Sequence, residues 1–155
     1  MSSIAKRTIY VGPGGDNNGK PLVIEGVALA ATAPGTVVEQ VATGLQANAA
    51  AATVFGQELL VADKDQARSK SVDDAWTISE NMVAIKARSG DILNVLVATG
   101  QTISAKGTPL SLNGAGLLKI AVTPATVGVT SEQVLAYADE IITTSATTLV
   151  RVRVA

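Results

Sequence analysis

The sequence predicts an all-β protein: a compact β-sandwich or barrel-like domain of about ten short strands, preceded by an extended N-terminal arm. Three observations predict it. Apolar runs of strand length recur along the chain, and turn residues punctuate them every 8–12 residues or about that. The last segment, Leu149–Val154 (LVRVRV), alternates strictly between apolar and charged residues, the pattern of a half-buried strand. The grammar is clearest from Ser89 to Leu112 (SGDILNVLVATGQTISAKGTPLSL), where glycine turns separate short apolar runs.

Met1–Arg7 reads as the arm, polar apart from Ile4, and residues 8–155 read as a single β-rich domain. Thr8–Val11 is a first strand. Gly12–Lys20 (GPGGDNNGK) is a loop, since Gly, Pro, Asn and Asp each favour turn conformations. Leu22–Ala31 is the next strand, with a bulge or bend expected at Gly26. Pro34-Gly35 turns the chain into the strand Thr36–Val41. Ala47–Gly56 contains an alanine run without amphipathic spacing, and reads as a loop or one helical turn. Glu58–Ala62 is a strand. Asp63–Asp74, the most charged stretch, reads as an exposed loop with room for a turn or two of helix.

Trp76–Ile78, Met82–Ala87 and Ile92–Ala98 read as strands, the last nearly all apolar. Gln101–Ile103, Pro109–Leu112 and Leu117–Val122 follow, and Asn113-Gly114 is a favoured hairpin signal. Residues 123–130 form a linker and a candidate subdomain break. Gln133–Thr143 fits either helix or strand, and Leu149–Val154 closes the chain. Ala33-Pro34-Gly35-Thr36 and Ala105-Lys106-Gly107-Thr108 are similar turn-to-strand joints, but no repeat of 20–50 residues emerges around them.

Composition narrows the function. Hydrophobic residues make up 47% of the chain but aromatics only 3%, so Val, Ile, Leu and Ala build the core. Mean hydropathy is +0.34 with 16% charged residues, and no stretch approaches the ~20 apolar residues of a spanning helix. The excess therefore points to association with other protein rather than with membrane. Net charge is −1 with scattered Lys and Arg, which gives no footprint for direct nucleic-acid binding. The N-terminus lacks the apolar region of a secretory signal, and the absence of Cys fits synthesis in a reducing cytoplasm.

The catalytic inventory is thin. With no His and no Cys, the usual nucleophile–base pairs cannot form. Ser69-Lys70 and Lys106 read as solvated loop residues. Asp73-Asp74 and Asp139-Glu140 are adjacent, and neighbours on a strand point to opposite faces. Asp16-Asn17-Asn18-Gly19 lacks the ligand spacing of a calcium loop, and Gly12–Lys20 lacks the end of a phosphate loop. No enzyme activity, cofactor or metal is expected. Candidate assembly contacts are Ile4, Lys6 and Arg7 on the arm, with Arg151 and Arg153 on one face of the last strand. The bland reading of the two arginines is a solvent-facing edge strand, where charge deters unwanted pairing.

Two resemblances follow from the order of elements. Leu59–Asp63, Val72–Trp76, Glu80–Ala84, Gly90-Asp91, Ala98–Gln101, Lys106–Leu110, Gly114–Leu117 and Leu149–Val154 together resemble tailed-bacteriophage head decoration (cement) proteins, over residues 59–155. The resemblance implies a structural virion protein on the outer surface of the capsid, made in the host cytoplasm. Its partners would be the major capsid protein and further copies of itself, often as a homotrimer at capsomer junctions. It would stabilise the shell by bridging neighbouring capsomers. A head fibre, tail or minor capsid component is the neighbouring alternative. Separately, Val61-Ala62-Asp63-Lys64 with Gly100, Gly107 and Leu110 resembles a lipoyl-carrier domain, which would make Lys64 the modified lysine. The upstream half of that motif is absent.

Overall fold

The computed structural model describes residues 5–13, 21–122 and 131–155. The linker and candidate break at 123–130, the tip of the glycine loop and Ile4 lie outside them. Among the described residues there are thirteen strands and no helix, so the all-β class holds.

The first half carries β1 (Tyr10–Gly12), β2 (Leu22–Val27), β3 (Val37–Val41), β4 (Gly44–Ala47), β5 (Leu60–Ala62) and β6 (Asn81–Lys86). The second carries β7 (Ile92–Val97), β8 (Thr102–Ile103), β9 (Pro109–Leu112), β10 (Leu118–Ile120), β11 (Ala136–Ala138), β12 (Ile142–Thr143) and β13 (Thr148–Val154).

In the second half, β7, β10, β9, β11 and β13 pair in that order, and β13 pairs back onto β7. The result is a closed five-stranded barrel. Leu93, Val95, Val97, Leu110, Leu112, Leu118, Val150 and Val152 are all buried in one cluster, because alternate residues of each strand face inward. In the first half, β2, β6, β5, β3 and β4 form a five-stranded sheet. It curls until Ala28, just beyond β2, bridges Leu45 of β4.

The two rings share one plan. Counting only its own five strands in chain order, each runs first, third, second, fourth, fifth and back to first, with only the first–third contact parallel. The registers coincide as well. Val38 faces Leu60 as Leu110 faces Ala136, and Ala62 faces Ala84 as Ala138 faces Val152. Ala28 meets Leu45 as Val97 meets Leu118. Even the flanking bridge recurs, since Thr32 pairs with Trp76 as β8 pairs with β12. Equivalent residues sit about 70 positions apart, a longer period than the 20–50 residues of common repeats.

The rings are packed as one body. In β3, β5 and β6 the side chains alternate: Val38, Leu60 and Ala84 fill the first ring, while Val37, Val61 and Ile85 join the cluster of the second. Gly35 pins the joint. Its amide donates to Ala62 O at 2.8 Å, and its carbonyl accepts from Leu96 N at 2.9 Å. Its φ is +90°, and an added Cβ would collide with the Leu149 side chain.

Several local expectations change. There is no bulge at Gly26: β2 pairs with β6 without a break from Leu22↔Lys86 to Val27↔Asn81. Gly26 is instead a site of close approach, where a Cβ would lie 3.0 Å from Leu45 Cγ. Trp76–Ile78 is no strand, only the bridge at Trp76, whose buried indole donates to Asp63 O at 2.7 Å. β4 has no clear signal in the sequence, because Ala42-Thr43 is a weak turn former. Gln133–Thr143 resolves into β11 and β12, with no helix. The 63–74 segment is not simply exposed, since Asp63 and Asp65 are buried. β13 is not an edge strand, because β7 and β11 flank it.

Candidate assembly surface

The N-terminal segment is fastened before it reaches β1. Lys6 Nζ donates to Glu140 Oε2 at 2.8 Å, with both side chains largely buried. Lys64 Nζ donates to Arg7 O at 3.1 Å. Asn94 then takes hold twice, its side-chain amide donating to Thr8 O and its backbone amide to Ile9 O, each at 2.7 Å. Ile9 is fully buried. Glu140 and Lys64 occupy matching positions in the two halves, each one residue past an aspartate (Asp139 and Asp63) that follows β11 and β5 respectively. The segment is therefore held from both rings.

Arg151 belongs to the same cluster. Its amide donates to Glu140 Oε1 at 2.7 Å and its Nε to Asp139 Oδ2 at 2.9 Å. Arg153, two residues on, shares its face and stands 5.8 Å from the centre of the Tyr137 ring, within cation–π range. The structure thus brings Lys6 and Arg151 together through Glu140. Arg7 is exposed, and Arg153 is exposed beside Tyr137. Ile4 lies outside the described residues.

Other charged groups secure loops. Glu132 receives Lys119 Nζ at 2.7 Å, Ser111 Oγ at 2.8 Å and Val122 N at 2.8 Å. Burial pushes its carboxyl up, but the bonds from Lys119, Val122 and Ser111 outweigh burial and hold it below its ordinary range. Asp63 is shifted the other way: burial dominates the bonds from Lys64 N and Gln66 and raises its carboxyl. Among the described residues no group of three or more acidic side chains is placed to hold a metal ion. Lys64 follows β5 in the long 63–80 connection, not at the tip of a tight hairpin.

What the sequence does not locate is a set of exposed apolar side chains. Leu22, Val23 and Val27 on β2 are exposed, as are Val54, Phe55, Ile78, Val122 and Ile141. Phe55, the only phenylalanine, is 61% exposed. The high hydropathy signals such side chains but does not place them. Within β2, LVIEGV looks like a buried strand; only the topology shows that it has one neighbour along its length. Next to it, a cavity of about 300 Å³ is lined by Ile24, Val38 and Leu60, with Asn48, Gln57, Glu58 and Lys86.

No family model matches the chain, and no curated protein matches it.

Proposed function

We propose that this chain is a structural virion protein that decorates an assembled bacteriophage capsid and stabilises it by bridging neighbouring capsomers. The observation that carries the reading is the set of apolar side chains exposed on a rigid all-β body, Phe55 and the β2 residues foremost. Such side chains favour protein partners. The order of elements over residues 59–155, similar to head decoration proteins, supports the choice of partner. The role is mechanical. Packaged DNA pushes the shell outward, and each bridge adds contacts that must break before capsomers separate. Repeated attachment makes modest single contacts strong in sum. Self-association, with a homotrimer as the expected form, belongs to the same proposal.

The test is co-sedimentation of the purified protein with expanded capsids, followed by heating of the decorated and bare shells. Binding to expanded shells with a raised disruption temperature is the expected result. Protein that stays in the supernatant over a wide concentration range overturns the proposal. Light scattering reports the oligomer directly.

A further inference from the structure

The two rings differ in one place, and the difference marks a binding site. On the second ring, β1 runs antiparallel along β7, with Tyr10 opposite Leu93 and Gly12 opposite Ile92. The shared registers place Ile92, Leu93 and Asn94 on Val23, Ile24 and Glu25 of β2. Among the described residues nothing pairs with that side of β2. It hydrogen-bonds to β4 only beyond its end, next to Ala28, although Gly26 already packs against Leu45 there. The burial differs accordingly: Ile92 is half-buried and Leu93 and Asn94 are buried, whereas Val23 is exposed, Ile24 half-buried and Glu25 exposed. Asn94 N bonds to Ile9 O in the filled case, so the matching amide of Glu25 points to the open side.

The cavity lies at the same place. Ile24, Val38 and Leu60 line it; their counterparts Leu93, Leu110 and Ala136 are fully buried, whereas Ile24 is left half-buried. Residues directly opposite on paired strands share a face, so Tyr10 stands on the Leu93 side, and it packs against that core. A large side chain placed opposite Ile24 would enter the cavity in the same way.

We propose that the open side of β2 receives an extended segment of the shell protein, added antiparallel, with a tyrosine-like ring opposite Ile24 seated in the cavity. Main-chain bonds give such strand addition its affinity, and the pocket gives its selectivity. β1 shows the chemistry that fits: a β-branched and aromatic run, then a small residue opposite Val23. Glu25 makes no ion pair among the described residues, so a basic residue beside it suits the segment. Among the described residues β1 is committed to β7 and no other segment fills the place, so the proposed strand is that of a different polypeptide. The identity of that polypeptide rests on the decoration reading; the site itself does not.

The probe is a labelled peptide with the sequence of residues 8–13 (TIYVGP), added to the full-length protein and followed by fluorescence anisotropy. Saturable binding is expected. It should weaken by about tenfold or more when the peptide carries Tyr10→Ala, and equally when the protein carries Glu25→Pro. Proline is tolerated where the amide faces away from the sheet, and circular dichroism checks that the variant folds. Absence of binding, or binding indifferent to both changes, overturns the site. With capsids, wild-type binding that Glu25→Pro matches also overturns it, while leaving the decoration reading intact. Peptide binding that depends on Tyr10 and Glu25, without capsid binding by the wild type, upholds the site and overturns the shell protein as its partner.

Discussion

At the scale of single residues, two glycines give a controlled comparison. Gly35 and Gly107 hold the same place in the two rings, each at the joint before the second strand, with φ of +90° and +86°. Around Gly107 an added Cβ meets nothing within 4 Å, whereas at Gly35 it strikes Leu149 and lies 3.2 Å from Leu96 Cγ. Gly107→Ala should cost about 1 kcal/mol, from backbone strain alone. Gly35→Ala should cost about 1–3 kcal/mol more, the usual cost of overpacking. Urea titration of both variants measures the difference. Equal losses would mean that the ring joint yields to the extra methyl.

Titration adds a second test at this scale. The Glu132 carboxyl lies below its ordinary value of 4.5 in the folded chain. Its contribution is therefore present above pH 4.5 and fades as pH falls through the lowered folded value. Asp63 is raised from 3.8, so its relative contribution is present at low pH and is lost as pH rises through the raised value. Glu132→Gln should flatten the acid limb of a stability–pH curve, and Asp63→Asn should steepen it. Denaturant midpoints from pH 3 to 7 give the slopes, and identical slopes in all three proteins would contradict this assignment.

Among the elements, the N-terminal segment is the most exposed to perturbation. Glu140 accepts from both Lys6 and Arg151 N. Glu140→Gln would leave a largely buried ammonium without its counter-ion, and should cost about 1–3 kcal/mol. The loss should appear as faster hydrogen exchange at Asn94 N, which β1's neighbour Ile9 protects, before exchange rises elsewhere. Exchange unchanged at Asn94 would show that Ile9 and Asn94 hold the segment alone.

The strands were legible in the sequence where local chemistry decides them. Ile92–Val97 is too apolar to be anything but central, and Leu149–Val154 alternates so regularly that its buried face can be read directly. What stayed hidden was non-local. Gly26 looks like a bulge in one dimension, yet its missing side chain makes room for Leu45 in three. Trp76 has strand propensity but is committed to a single bridge and to Asp63 O. Arg151 and Arg153 suit an edge, but β13 acquires neighbours on both sides. Of the candidate contacts, Lys6 and Arg151 are charges that the sequence shows but whose partners within the chain, Glu140 and Asp139, only the fold brings to them. The doubled ring is hard to read from sequence because its positions are matched in register more than in residue type: Ile24 corresponds to Leu93 and Lys86 to Val154, and outright matches such as the Ala-x-Gly-Thr joint, Leu45 with Leu118 and Ala62-Asp63 with Ala138-Asp139 are short and scattered.

For the whole molecule, the shared cluster decides cooperativity. Val37, Val61 and Ile85 come from strands of the first ring but are buried with the second. Neither ring can open without exposing side chains of the other. Unfolding followed by fluorescence of Trp76, the only tryptophan and a core residue of the first ring, should coincide with unfolding followed by far-UV circular dichroism. Separated transitions would show that the rings are independent folding units.

Ring closure also bears on how densely such a chain can be crowded. A protein that is 47% apolar and rich in Val and Ala has the makings of a fibril-former, since unpaired strands template further strands. Both rings return upon themselves, so fibril growth finds few places to start. Among the described residues, Leu22–Val27 offers the longest of them. A partner seated there would silence the chain's chief nucleation point for amyloid, making attachment and colloidal safety a single event.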